Sequence, residues 1–283
     1  MAGQSQNPDP LSHVLDHHSI EIPWWSHSIE EGRQLTYTKV IELPSVAGLQ
    51  VTKFMVMELV VALLMMGILL PVVRHIRRTP VSRGWFMNMF EAILLFIRNE
   101  VARPAIGGHE ADRFLPFLWT VFFFILFNNL LGMIPGGASA TGNINVTAVL
   151  AVMTFGVVLA AGIREAGVAG FFVGLVPHLD VPKWMQPALW GLMFGIEVAG
   201  LLVRHIVLAI RLFANMFAGH MVLAVILGFI LMAYSSLAFY FVAPASVVSV
   251  IGLSLLELFV AFLQAYIFTF LSALFIGMAV HPH

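Results

Sequence analysis

Residues 188–232 read ALWGLMFGIEVAGLLVRHIVLAIRLFANMFAGHMVLAVILGFILM, and this stretch decides the fold. Its only formal charges are Glu197, Arg204 and Arg211. As a helix it would be about 67 Å long, twice the hydrocarbon core of a bilayer. Around Arg204 and His205 there is no proline and only one glycine, Gly200, on which a chain could turn. The stretch therefore predicts one long, strongly tilted or bent helix rather than two short spans. A soft break, Ser235-Ser236 and then Pro244, separates it from a second such stretch over 238–278, whose only charge is Glu257. The two predict a hairpin of long membrane helices.

Upstream, three apolar runs have spanning length: 54–73, 114–134 and 146–163. The first is followed at once by Arg74, Arg77, Arg78 and Arg83. The second closes on Pro135-Gly136-Gly137, and the third on Arg164 and Glu165. Residues 164–187, with several glycines and prolines, read as a loop with one short apolar patch. Residues 84–99, GWFMNMFEAILLFIRN, are too short to span, but their apolar residues recur at helical spacing between Arg83 and Arg98. That pattern fits an amphipathic helix in the membrane interface; a re-entrant or buried piece is the alternative. The expected fold is an all-α integral membrane protein of about five spans, with a membrane domain over 51–283 and a polar N-terminal tail over 1–50.

Composition points the same way. Of 283 residues, 60% are hydrophobic and 10% charged, against roughly 25% charged in a soluble domain. A soluble enzyme or a disordered chain is excluded. A net charge of −1 gives no reason to expect nucleic acid. With no cysteine, disulfides and thiolate chemistry are absent. Residues 1–50 open on polar MAGQSQNPDP and show no basic-then-apolar leader pattern. No cofactor motif is present, and no GxxxxGK[ST] loop for ATP.

Basic residues set the expected orientation. Residues 74–113 carry seven of the fourteen Lys and Arg, whereas the 135–145 and 233–246 connections carry none. By the positive-inside rule, 74–113, 164–187 and the C-terminus lie inside and the N-terminal tail outside.

Charges within spans are costly, about 2.5–3.5 kcal/mol for a centred Arg on insertion scales, so they mark sites. Arg211 shares its helix face with Ala214 and Ala218, and Asn215 follows at i+4. Small residues at that spacing admit a neighbouring helix. Arg204 and Glu197 lie one and two heptads earlier; Arg204 can also reach the inner interface by snorkelling. On the last helix, Glu257 and Gln264 are seven apart. In an antiparallel hairpin, pairing Arg211 with Gln264 and His220 with Glu257 requires nearly the same register. His beside carboxylate suits proton relay, or else a structural hydrogen bond. His13, His17 and His18 with Asp16 have metal-ligand spacing, but a solvated tail explains them better, so no metal site is expected. His281 and His283 read as exposed terminal residues. Asn128, Asn129, Asn143 and Asn145 either line an outer water cavity or cap helix ends.

IRLFANMFAGHMVLAVILGF at 210–229 and ELFVAFLQAYIFTFL at 257–271 resemble the core of subunit a of F-type ATP synthases. FILFNNLLGMIPG and Asn145-Val146-Thr147 are similar to its second helix and following loop, and HVLDH to some of its N-termini. The resemblance implies a stator subunit beside a ring of c subunits, with b-type peripheral stalk subunits, the rest of the synthase and the lipid bilayer as partners. It implies that Arg211 is the essential charge facing the ring carboxylate and Gln264 its polar neighbour. Asn215 matches a polar position of that motif, and Glu197 an acidic one of the inner proton half-channel. His220 and Glu257 match a pair lining the outer half-channel, with Asn145 near that path. In many bacterial members the pair runs Glu first and His second; here it is reversed, as in mitochondrial relatives. Another acidic position of some bacterial members is Gly132 here. The implied role is coupling proton flow to rotation, with no ATP site and so no enzyme activity of its own. The long tail and Arg-rich inner loop favour a bacterial inner membrane over a mitochondrion. A secondary transporter or channel is the rival reading, but repeated halves and Gly/Pro-broken helices are not evident. A structural scaffold would not need two matched polar pairs.

Overall fold

A computed structural model of the chain describes residues 19–30, 33–42, 45–46 and 49–50 by their backbone, and 52–78, 84–108, 110–134, 140–176, 185–234 and 237–281. In chain order, β1 (Ser19–Glu30) pairs antiparallel with β2 (Arg33–Glu42), and β3 (Ser45–Val46) with β4 (Leu49–Gln50). The β1–β2 register runs from Ser19 opposite Glu42 to Glu30 opposite Arg33, with an irregularity between Pro23 and His27. These strands add local structure to a segment that the sequence marks only as a polar tail.

The membrane domain is all-α. Its elements are α1 (Lys53–Arg78), α2 (Trp85–Phe96), α3 (Arg103–Ile106), α4 (Ala111–Gly132), α5 (Ile144–Gly174), α6 (Gln186–Ala233) and α7 (Phe239–Val280). A π-helical turn over Ile97–Ala102 joins α2 to α3, so the short amphipathic helix of the sequence runs on to Ile106. Among the described residues, five helices are long and apolar enough to cross a membrane: α1, α4, α5, α6 and α7. The chain is a membrane protein.

One expected boundary is wrong. The third apolar run predicts a helix end at Ile163 and a loop beyond it, yet α5 continues to Gly174. The reason is Gly167: its backbone (φ 73°, ψ 166°) is not helical, and a second helical stretch follows the kink directly and runs to Gly174. Beyond the bend, the apolar patch brings Phe171 back onto Gly162, where an added Cβ would overlap the Phe171 ring.

The chain forms two compact units. The first comprises Met1–Leu64, Leu126–Asn143 and Phe213–Phe262; the second comprises Met65–Ile125, Ile144–Leu212 and Leu263–His283. In the first unit, Asn128 and Asn129 are fully buried on α4, and Thr141 Oγ1 donates to Asn129 Oδ1 at 2.8 Å. Asn129 thus ties α4 to the short turn at 140–142 rather than capping a helix end.

The second unit is packed through small residues on α7. Ala265, Ser272, Ala273 and Gly277 are buried, and a Cβ at Gly277 would overlap the Ala105 carbonyl oxygen. Lipid offers no hydrophobic drive between helices, so such close approach is what holds them. The hydroxyls of Thr269 and Ser272 return to the carbonyls of Ala265 and Phe268, which keeps these buried polar groups satisfied. Helix α2 stacks Phe90 on Phe123 of α4, and Trp119 Nε1 donates to the Leu94 carbonyl. Arg98 makes a two-pronged bond to Asp112, Nε to Oδ1 at 2.8 Å and Nη2 to Oδ2 at 2.6 Å. Asp112 in turn sits in the first turn of α4, where a negative charge suits the helix dipole. Its bonds push the Arg98 guanidinium still further up.

Candidate functional site: intramembrane polar residues

The polar residues singled out in the sequence divide between the two units. In the first, α6 supplies His220 and α7 supplies Glu257. His220 Nδ1 lies 3.8 Å from Glu257 Oε1, an ion-pair distance too long for a hydrogen bond. The Glu257 side chain is 9% exposed and that of His220 22%. The carboxylate fits because the preceding helix position is Gly219: a Cβ there would lie 2.7 Å from Glu257 Oε1. The sequence pattern marks the pair but gives no sign of the glycine that makes room for it. Asn215 of the same unit is half-buried.

In the second unit, Arg211 is exposed and, among the described residues, has no ion pair or hydrogen bond. Its neighbours Leu208 and Leu212 on α6 are buried, whereas Ala214, three residues on, is exposed as Arg211 is. Gln264 on α7 is 4% exposed, and its Nε2 has no hydrogen-bond partner. The expected Arg211–Gln264 neighbourhood is therefore not a bonded contact within this chain. Arg204 Nη2 lies 3.7 Å from Glu197 Oε1, two helical turns away on α6; both side chains are partly exposed. Arg204 is thus paired along its own helix. Asn145 is exposed in the first turn of α5.

Two residues of this unit are not foreseen by the sequence pattern. His205 is 4% exposed inside an apolar run, with Nδ1 2.8 Å from the Leu201 carbonyl oxygen. His281, expected to be an exposed terminal residue, is exposed, but it also bonds the Ile106 carbonyl at 3.0 Å and pairs with Glu110 at 3.4 Å. A cavity of about 480 Å³ is lined by Glu197, Arg204, His205 and His281, closed on its apolar side by Phe171 and Phe275. The one sequence signal for His205 is a titratable residue inside an apolar stretch, which marks a packed ring as often as a site.

Among the described residues, no group of three or more His, Asp or Glu could hold a metal ion. The His13, Asp16, His17 and His18 cluster and His283 lie outside the described residues.

The arrangement offers a titratable pair in the first unit. In the second it offers an unpaired guanidinium on an open helix face and a polar cavity. Comparison with known proteins places it. The family model for the ATP synthase A chain matches residues 55–277. A protein of Myxococcus xanthus named ATP synthase subunit a is 42% identical over 97% of this chain and 89% of its own length. Proteins of the same name from Anaeromyxobacter sp. and Chloroherpeton thalassium are 41% and 40% identical. They match over 94% and 96% of this chain, and over 62% and 76% of their own lengths. With so much of the chain matched, it belongs to the ATP synthase A chain family, the subunit a family of ATP synthase.

Proposed function

We propose that this chain is the membrane stator of an F-type ATP synthase, holding two offset proton half-channels against a ring of c subunits and anchored by b-type stalk subunits. The observation that carries the reading is Arg211: an exposed guanidinium, unpaired among the described residues, on a helix long enough to cross a membrane. A lone cation in lipid is too costly to keep, so its counter-charge comes from another chain. Ala214 and Ala218, also exposed, let that chain approach.

Protons enter from outside along His220 and Glu257, with Asn215 and Asn145 near the path, and neutralise a ring carboxylate. After most of a turn the carboxylate releases its proton inward, by way of Glu197. Arg211 favours the ionised carboxylate between the two passages and stops protons crossing directly. Gln264 serves as its polar neighbour once the ring is in place. Each charge crossing 100 mV is worth about 2.3 kcal/mol, so several are combined for each ATP. The site sits in a membrane domain of residues 51–283, in a bacterial inner membrane, with the N-terminal segment outside and the C-terminus in the cytoplasm.

The test is purification of the tagged chain with its complex, followed by ATP-driven proton pumping. The expected result is co-purification with ring, stalk and catalytic head, and loss of pumping in Arg211→Ala with assembly intact. A chain that purifies alone and transports ions by itself overturns the reading.

A further inference from the structure

The cavity of the second unit holds one buried titratable group that the half-channel scheme does not use. His205 is buried, and its ring is held between Phe155 and Phe275, each with its centroid 5.1 Å away. Nδ1 is committed to the Leu201 carbonyl, which fixes the proton of the neutral ring on that nitrogen. Nε2, on the far side of the ring from that carbonyl, is left with its lone pair and has no hydrogen-bond partner. A buried polar atom without a partner is rare and costly, and here it belongs to a side chain lining a cavity of about 480 Å³, roomy enough for several waters.

We propose that His205 is a proton relay of the inner half-channel. This rests on the stator reading above and adds to it a residue that reading does not require. In the pumping direction, Nε2 takes a proton from cavity water and the ring becomes imidazolium. Nε2 then gives that proton to water nearer Arg211, and the neutral Nδ1–H form is restored. One proton enters, one leaves, and the Leu201 bond is kept throughout. His205 is six residues from Arg211, about 9 Å along α6, so one or two waters complete the distance.

The surroundings support this assignment. On α6 the charged groups lining the cavity are Glu197 and Arg204, paired at 3.7 Å. From α7 and just beyond it come Phe275 and His281; α5 contributes Val158 and Phe171, and α3 contributes Ala105. His281, itself tied to Ile106 and Glu110, is largely exposed. The cavity therefore runs from titratable groups in contact with solvent to a single buried base.

The experiment uses the whole synthase in inverted vesicles, where ATP hydrolysis draws protons from the medium through this half-channel. Initial pumping rates are read against medium pH for wild type, His205→Phe and His205→Gln, with co-purification as the assembly control. Phe keeps a ring between Phe155 and Phe275; Gln keeps polarity without titrating. The relay predicts a wild-type inflection within about pH 5–7 that both variants lose, with rates at least about tenfold lower. A His205→Gln enzyme with the wild-type rate and profile would show that His205 only holds water, and would overturn the proposal. A wild-type-like His205→Phe, or a wild type without the inflection, overturns it too. If one variant fails to assemble, the other decides. Arg211→Ala is run alongside: pumping by that variant sinks the stator assignment itself, whereas its loss beside wild-type-like His205 variants sinks only the relay.

Discussion

Gly219 and Glu257 are matched to each other: the missing side chain on α6 is the space that the carboxylate of α7 occupies. A Cβ on Gly219 would come within 2.7 Å of Glu257 Oε1, closer than real Cβ atoms approach oxygen. Gly219→Ala should therefore move the carboxylate away from His220 without altering any charge. The expected outcome is a several-fold loss of proton pumping with the complex still assembled. Gly228→Ala, on the same helix with open space around it, should pump normally.

The His220–Glu257 pair itself is tested by exchange. Each Ala single should slow pumping strongly, because the remaining partner is left alone in a low-dielectric site. His220→Glu combined with Glu257→His should recover a measurable part of the rate. Recovery no better than the worse single, in assembled complexes, means the two residues act separately.

Arg211 and Arg204 should behave differently. Arg211→Ala should abolish proton-driven ATP synthesis, and Arg211→Lys should do poorly, since Lys lacks the planar, always-charged fork. Arg204 has Glu197 on its own helix and exposure to draw on, so Arg204→Ala should retain part of the activity. Synthesis rates in reconstituted vesicles distinguish the two; a dead Arg204→Ala beside a coupled Arg211→Ala would reverse the roles.

Because the chain has no cysteine, single introduced thiols can map its topology. Thiols at positions 30 and 139 should react with an impermeant reagent from outside, and those at 80 and 281 only from inside. Labelling of position 80 from outside would refute the five-span orientation.

The contact at Gly277 predicts a stability effect rather than a transport effect. A methyl there meets the Ala105 carbonyl, part of the backbone and unable to yield as a side chain would. Gly277→Ala should cost about 1–3 kcal/mol, as overpacking does, and lower the thermal midpoint of the complex in detergent. An unchanged midpoint would mean α7 shifts freely against α3.

Much of the membrane domain is legible in apolar run lengths, because a bilayer demands long uninterrupted helices and Arg clusters mark their ends. The extension of α5 past Arg164 is not. Gly167 does interrupt the helical backbone, but a second helical stretch resumes directly after it and carries Phe171 back onto Gly162. The strands at 19–42 leave a faint trace, the alternation in LTYTKVIE, but isolated two-stranded pairs are marginal, so the pattern alone does not raise them above a polar tail. His220 and Glu257 are legible because antiparallel register brings them to one depth. His205 is not: its meaning depends on what α5, α7 and the residues beyond Val280 place around the ring. Arg211 and Gln264 match in register, yet the guanidinium sits on the open side of its helix and the amide is buried.

That open side has a mechanical consequence. Large side chains interlock as ridges in grooves and pin one helix against another at preferred crossings. Ala214 and Ala218 present almost no ridge, and each pair of atoms that brushes past there exchanges only about 0.1–0.2 kcal/mol. If the chain is the stator proposed above, a ring moving sideways across this stretch of α6 would meet low friction, with one detent where a ring carboxylate comes level with Arg211.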